Sequence, residues 1–172
     1  MSGVAVEAKG GGAPPPPQPY TDPQELWPPT ALGVRRARHS LMRTLAAWRA
    51  ERDVAEAACL VLAELAANAQ RHGHVPGKQF GVSAHRLADG LLLEVHDAAG
   101  GSLPVLLDAP TPDLAAERGR GLLLVDAVTH GRWGVAPRAG APGKVVWALV
   151  PAPASAPAPA PWGDSAVPGP AR

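Results

Sequence analysis

The sequence has little cysteine, few aromatic residues, almost no lysine in its middle, and no long apolar run. Its single cysteine, Cys59, excludes a disulfide scaffold and a Cys-ligated zinc site. No apolar stretch approaches the roughly 18 residues that span a bilayer, so no membrane role is expected. Met1 to Gly12 lacks a basic start followed by an apolar segment, so no signal peptide is evident and a cytoplasmic location follows by default. Aromatics make up only 4%, which leaves Leu, Val and Ala to build the core. Charge of one sign is also missing. The formal net charge is +1, and residues 31–150 hold 14 Lys+Arg against 11 Asp+Glu. That balance is too mild to demand nucleic acid, and no direct nucleic-acid partner is expected.

Proline is abundant, at 21 of 172 residues, but unevenly placed. Eight prolines lie in residues 1–30, seven in 151–172 and only six in 31–150. A disordered chain would not be 46% hydrophobic. The reading is therefore a Pro/Gly-rich leader over 1–24, one globular domain over 25–150, and a Pro/Ala-rich tail over 151–172.

Within the domain, Val34, Ala37, Leu41, Leu45 and Trp48 recur every three or four residues and predict a helix from Thr30. Its arginines, Arg35, Arg36, Arg38 and Arg43, suit a solvated face or an acidic partner. A second helix is expected from Asp53, as N-cap, to His72, with Gly73 as its stop. The period then becomes two. Phe80, Val82 and Ala84 alternate, Asp89-Gly90 reads as a hairpin turn, and Leu91, Leu93 and Val95 return toward Asp97. Residues 98–118 lack periodicity and are long enough to suggest a functional lid. A helix from Gly121 to about Thr129 and strands at 132–136 and 144–150 complete the domain, with a short strand possible near Glu25–Trp27. This order predicts an α+β two-layer sandwich, with helices on one face of a mixed, mostly antiparallel sheet.

Three polar features interrupt this pattern. Glu64, Asn68 and His72 are four apart and share a helix face beside the apolar stripe. Glu can take a proton, and an Asn carbonyl is a hard oxygen of the kind Mg²⁺ accepts. Asp97 ends an apolar strand before Ala98-Ala99-Gly100-Gly101, where a carboxylate can accept from an amine and glycine permits close approach. Gly119-Arg120-Gly121 opens the third helix, and free amides at a helix N-terminus can hold phosphate. Position 124 is Leu, so this is no Rossmann fingerprint, and Val145 after Gly143-Lys144 rules out a P-loop. His72 and His74 have no third ligand nearby and do not suggest a metal site.

In this order the three features resemble the GHKL (histidine-kinase-like ATPase) superfamily, and more closely its stand-alone anti-sigma-factor serine kinase branch. The stretch Glu64 to Gly73 resembles that family's N box, Asp97 to Gly101 its D-x-G-x-G box, and Gly119 to Leu122 its G-x-G-Leu box. The resemblance covers about residues 25–150 and implies the Bergerat fold. It further implies ATP and Mg²⁺ as ligands, with Asn68 on Mg²⁺ and Glu64 as the general base of a protein serine/threonine kinase. Asp97 would take the adenine amine. Gly101, Gly119, Arg120, Gly121 and Leu122 would line the nucleotide. The implied partners are a STAS-type anti-anti-sigma protein, a sigma factor, or both. Dimers are common in that family, but no pattern in this chain shows one. Ala99 replaces the first glycine of the middle box, and the lid has no lysine, leaving Arg118 and Arg120 as nearby cations. Those departures keep a catalytically silent ATP- and partner-binding module open as an alternative. A nucleic-acid-binding protein that uses the first-helix arginines is a third reading.

Overall fold

A computed structural model describes residues 24–72, 75–99, 115–138 and 141–152, with the backbone alone over 115–120. Gly73, His74, Gly101, residues 1–23 of the leader, residues 153–172 of the tail and most of the expected lid lie outside the described residues.

The chain opens with β1, Glu25–Trp27, and turns into α1, Ala31–Ala47. Thr30 caps α1: its hydroxyl accepts from the Gly33 amide at 3.0 Å, satisfying one of the free donors of the first turn. The expected stripe is the buried one, with Ala37, Leu41 and Leu45 in the core and Val34 and Trp48 packed at its margin. Helix α2, Arg52–His72, buries Ala58, Val61, Leu62, Leu65, Ala66 and Ala69. Asp53 lies inside its first turn and is not its N-cap; there its charge complements the positive end of the helix.

The hairpin follows as β2, Phe80–Leu87, and β3, Gly90–Asp97. Leu87 pairs with Gly90, so Ala88 and Asp89 occupy the tip and Gly90 already belongs to the returning strand. Helix α3 spans Ala115–Thr129, and strands β4, Trp133–Pro137, and β5, Lys144–Pro151, close the domain. Strand order is β1-β2-β3-β5-β4, and every neighbouring pair is antiparallel, so the expected mixed sheet is wholly antiparallel among the described residues.

Alternation sets which face of the sheet does what. Val82, Ala84, Leu93, Val95, Val146 and Ala148 project into the main core, against α1, α2 and α3. Leu92, Trp147 and Leu149 form a smaller buried cluster on the opposite face. The fold is the expected α+β two-layer arrangement, with helices on one face of the sheet. Strand β3 runs through the sheet's centre and delivers Asp97 at its end, in step with Val95 and so on the helix side.

Candidate functional site

Helix α2 supplies two of the expected residues. Glu64 and Asn68 are half-buried beside the apolar stripe, one turn apart, and His72 is exposed at the helix end. The Asn68 amide oxygen accepts from Arg71 Nη2 at 3.0 Å. That oxygen is the hard donor a magnesium ion would take. The donor set fits Mg²⁺, on the condition that Arg71 gives way. Arg71 is exposed, and such an i,i+3 contact is worth only a few tenths of a kcal/mol, about 0.2–0.5.

Helix α3 supplies the third box, but not as expected. The helix starts at Ala115, so Gly119 is its fifth residue and Gly121 its seventh. Only the first four amides of a helix lack an internal partner. The free amides are therefore those of 115–118, and the expectation that Gly119-Arg120-Gly121 opens the helix is corrected. Ala115, Ala116, Glu117 and Arg118 are good helix formers, and their propensity carries the helix back past the glycines. Leu122 is turned into the core at 3% exposure.

Gly121 also leaves room for a neighbour on α2. A Cβ added there would overlap Glu64 Oε2 and come within 3.2 Å of Glu64 Cδ. The missing side chain is the space the Glu64 carboxylate fills. Two of the three sequence boxes thus meet where α2 crosses α3.

Asp97 is 2% exposed and its carboxylate is doubly held. Oδ1 accepts from the Ala99 amide at 2.7 Å, and Oδ2 pairs with Lys144 Nζ at 2.9 Å. Lys144 Nζ also donates to the Ala99 carbonyl at 3.1 Å. The turn 97–99 is therefore closed on itself. Among the described residues, the only non-glycine residues with positive φ are Arg49 and His130, so Ala99 sits in ordinary backbone space. The turn does not require the glycine the family pattern has at 99. A carboxylate oxygen has two lone pairs, and each oxygen of Asp97 has one donor in hand. Each oxygen keeps capacity for one more donor, such as an adenine amine would supply, and the residues fit that base.

Lys144 was not among the expected site residues. It is one of two lysines between residues 31 and 150, beside Lys78, and it follows Gly143 at the start of β5. Only the β3–β5 register places it opposite Asp97, and that pairing is long-range. Arg71 was missed for a different reason. An i,i+3 step from Asn68 is visible in the sequence, but so are many such steps.

A family model for the histidine kinase-like ATPase domain matches residues 28–147, more than half of the chain. No curated protein matches it.

Proposed function

Because the chain belongs to the histidine kinase-like ATPase domain family, an ATP-binding family, we propose that it is a regulatory protein that transfers a phosphoryl group from ATP to a serine of a partner protein. The observation that carries this reading is the seating of the Glu64 carboxylate against Gly121. It puts a proton acceptor at the junction of the helix that carries Asn68 and the helix expected to face the phosphates. Phosphoryl transfer needs mainly positioning and charge balance from the protein.

The roles follow from donor chemistry. ATP supplies the γ-phosphoryl group. The Asn68 oxygen, released from Arg71, holds Mg²⁺. Asp97 accepts from the adenine amine. The first-turn amides of α3, with Gly119 and Arg120 following them in the chain, hold phosphate charge, and Gly101 is the glycine expected to join them. Glu64 receives the proton of the serine hydroxyl as its oxygen bonds to the γ-phosphorus and ADP leaves. The partner is a small STAS-type anti-anti-sigma protein, with a sigma factor as a second binding partner.

Incubation with γ-labelled ATP and candidate STAS proteins tests the reading. Label should appear on a partner serine, and Glu64→Ala should cut the transfer by about a hundredfold or more while ATP still binds, as loss of a positioned base does. Transfer by the Glu64→Ala protein at the unmodified rate would sink it. One observation favours a second reading, a module that binds ATP and a partner without transfer: the hydrogen bond from Arg71 sets a guanidinium charge beside the oxygen meant for the metal. Nucleotide binding without label on any partner would select that reading.

A further inference from the structure

We propose that Lys144 is a positioning residue for the nucleotide base: it holds Asp97 as a fixed, acceptor-only anion, and so makes the site choose a purine that carries a 6-amine. The inference rests on the reading of Asp97 as the base-binding carboxylate. The observations that carry it are the burial and closure of the Asp97–Ala99–Lys144 ring. Both charged side chains are buried, at 2% exposure for Asp97 and 6% for Lys144. A buried carboxylate is retained as an anion only where it is paired and hydrogen-bonded. Here one oxygen has the Ala99 amide and the other the ammonium.

The lysine does a second thing with the same group. By donating to the Ala99 carbonyl at 3.1 Å, it ties the far end of the turn to the strand that carries it. Asp97 is held from its own turn through Ala99, and from the neighbouring strand through Lys144. The backbone leading into Lys144 is built for this approach. Gly143 has φ +112°, and a Cβ there would overlap the Asp97 carbonyl oxygen. A side chain at 143 would drive β5 away from the end of β3 and pull the ammonium off the carboxylate.

Selection follows from hydrogen-bond polarity. An ionised carboxylate only accepts. A 6-amino purine offers it a donor. A 6-oxo purine offers a second acceptor, and the two would repel. Without Lys144 the carboxylate keeps only the Ala99 amide, and its other oxygen is free to turn away from the 6-position of the base. Removing Lys144 should therefore relax the choice of base as well as weaken binding. A lysine that only steadied the fold would weaken all nucleotides alike.

The test is calorimetry on the full chain with the magnesium complexes of ATP, GTP and purine riboside triphosphate, which lacks the 6-amine. Thermal unfolding confirms that each variant is folded. The unsubstituted protein should prefer ATP over the deamino analogue by about tenfold to a hundredfold, the worth of one hydrogen bond to a charged group. Lys144→Met should bring that ratio close to one and narrow the gap between ATP and GTP. Should Lys144→Met fail to fold, Lys144→Gln keeps a donor without the charge and should lose part of the preference. A folded Lys144 variant with an unchanged preference for ATP overturns the proposal. Asp97→Asn separates this from the reading beneath it. If that variant keeps full ATP affinity, Asp97 does not read the base and both fall. If it weakens ATP while Lys144→Met and Lys144→Gln do not, only the role of Lys144 falls.

Discussion

Gly121 shows how an absent side chain can set a functional one. The carboxylate of Glu64 occupies the space a Cβ would need, and the overlap falls on the tip of a flexible side chain rather than on backbone. Gly121→Ala should thus displace Glu64 and leave the crossing of α2 and α3 in place. A group moved by about 1 Å from its productive position costs roughly a hundredfold in rate. We expect phosphoryl transfer to fall by about that factor while ATP affinity changes much less. A small shift in thermal midpoint should accompany it, since Ala is favoured over Gly within a helix by about 1 kcal/mol. An unaltered transfer rate in Gly121→Ala would show that the contact does not position Glu64. The same residue scale explains Ala99. Its amide and carbonyl both serve the Asp97 turn, its φ is ordinary, and a methyl group is absorbed where the family pattern has glycine.

At the scale of elements, α2 joins stability to function. One face buries Val61, Leu62, Leu65 and Ala69 against the sheet and α1, and the adjacent edge presents Glu64 and Asn68. Leu62 is fully buried, so Leu62→Ala should cost about 2–5 kcal/mol, from lost transfer energy and the cavity left behind. Urea unfolding would read that loss. The folded fraction should still bind ATP with near-normal affinity, because the polar edge of α2 is unchanged. The elements themselves were largely legible in the sequence. The 3.6-residue period marked α1 and α2, and the change to period two marked the hairpin, because each of those faces must bury its apolar side. Their ends were less legible. The start of α3 was hidden because Gly119 reads as a breaker, whereas the residues before it favour helix enough to carry through. The hairpin tip shifted by one residue for a similar reason, since Ala88 can enter the turn that Asp89-Gly90 seemed to own.

At the scale of the whole molecule, strand order decides which charges meet, and neighbouring sequence cannot show it. Strand β5 inserts between β3 and β4, which brings Lys144 to Asp97 on the helix side and Trp147 opposite Glu94 on the other. Glu64, Asn68 and Asp97 could be picked out from their spacing and setting. The partners that hold Asp97 needed the sheet. Glu94 is the second consequence of that topology. It lies at 1% exposure on the face away from the helices, with His85 Nε2 at 3.4 Å and His96 Nε2 at 3.6 Å from its Oε2. Both contacts are at the long end for hydrogen bonds, yet they act on the carboxyl ahead of bare charge attraction. Burial pushes the Glu94 carboxyl up, but the two imidazoles, His85 before His96, outweigh it and hold the group down to about 2, against an ordinary 4.5. Because the folded value is the lower one, the unfolded chain binds the proton first as pH falls. The stabilisation from ionised Glu94 is complete above pH 4.5 and disappears as pH falls toward 2. Glu94→Gln removes the titrating group. Chemical denaturation between pH 6 and pH 2.5 should show the unsubstituted domain losing stability on the order of 2–3 kcal/mol more than the Gln variant. At pH 6 the variant should already be less stable by about 1–3 kcal/mol, since a buried carboxylate paired with two imidazoles has been replaced by an amide. Parallel pH profiles for the two proteins would mean that Glu94 is not the group that couples folding to acid.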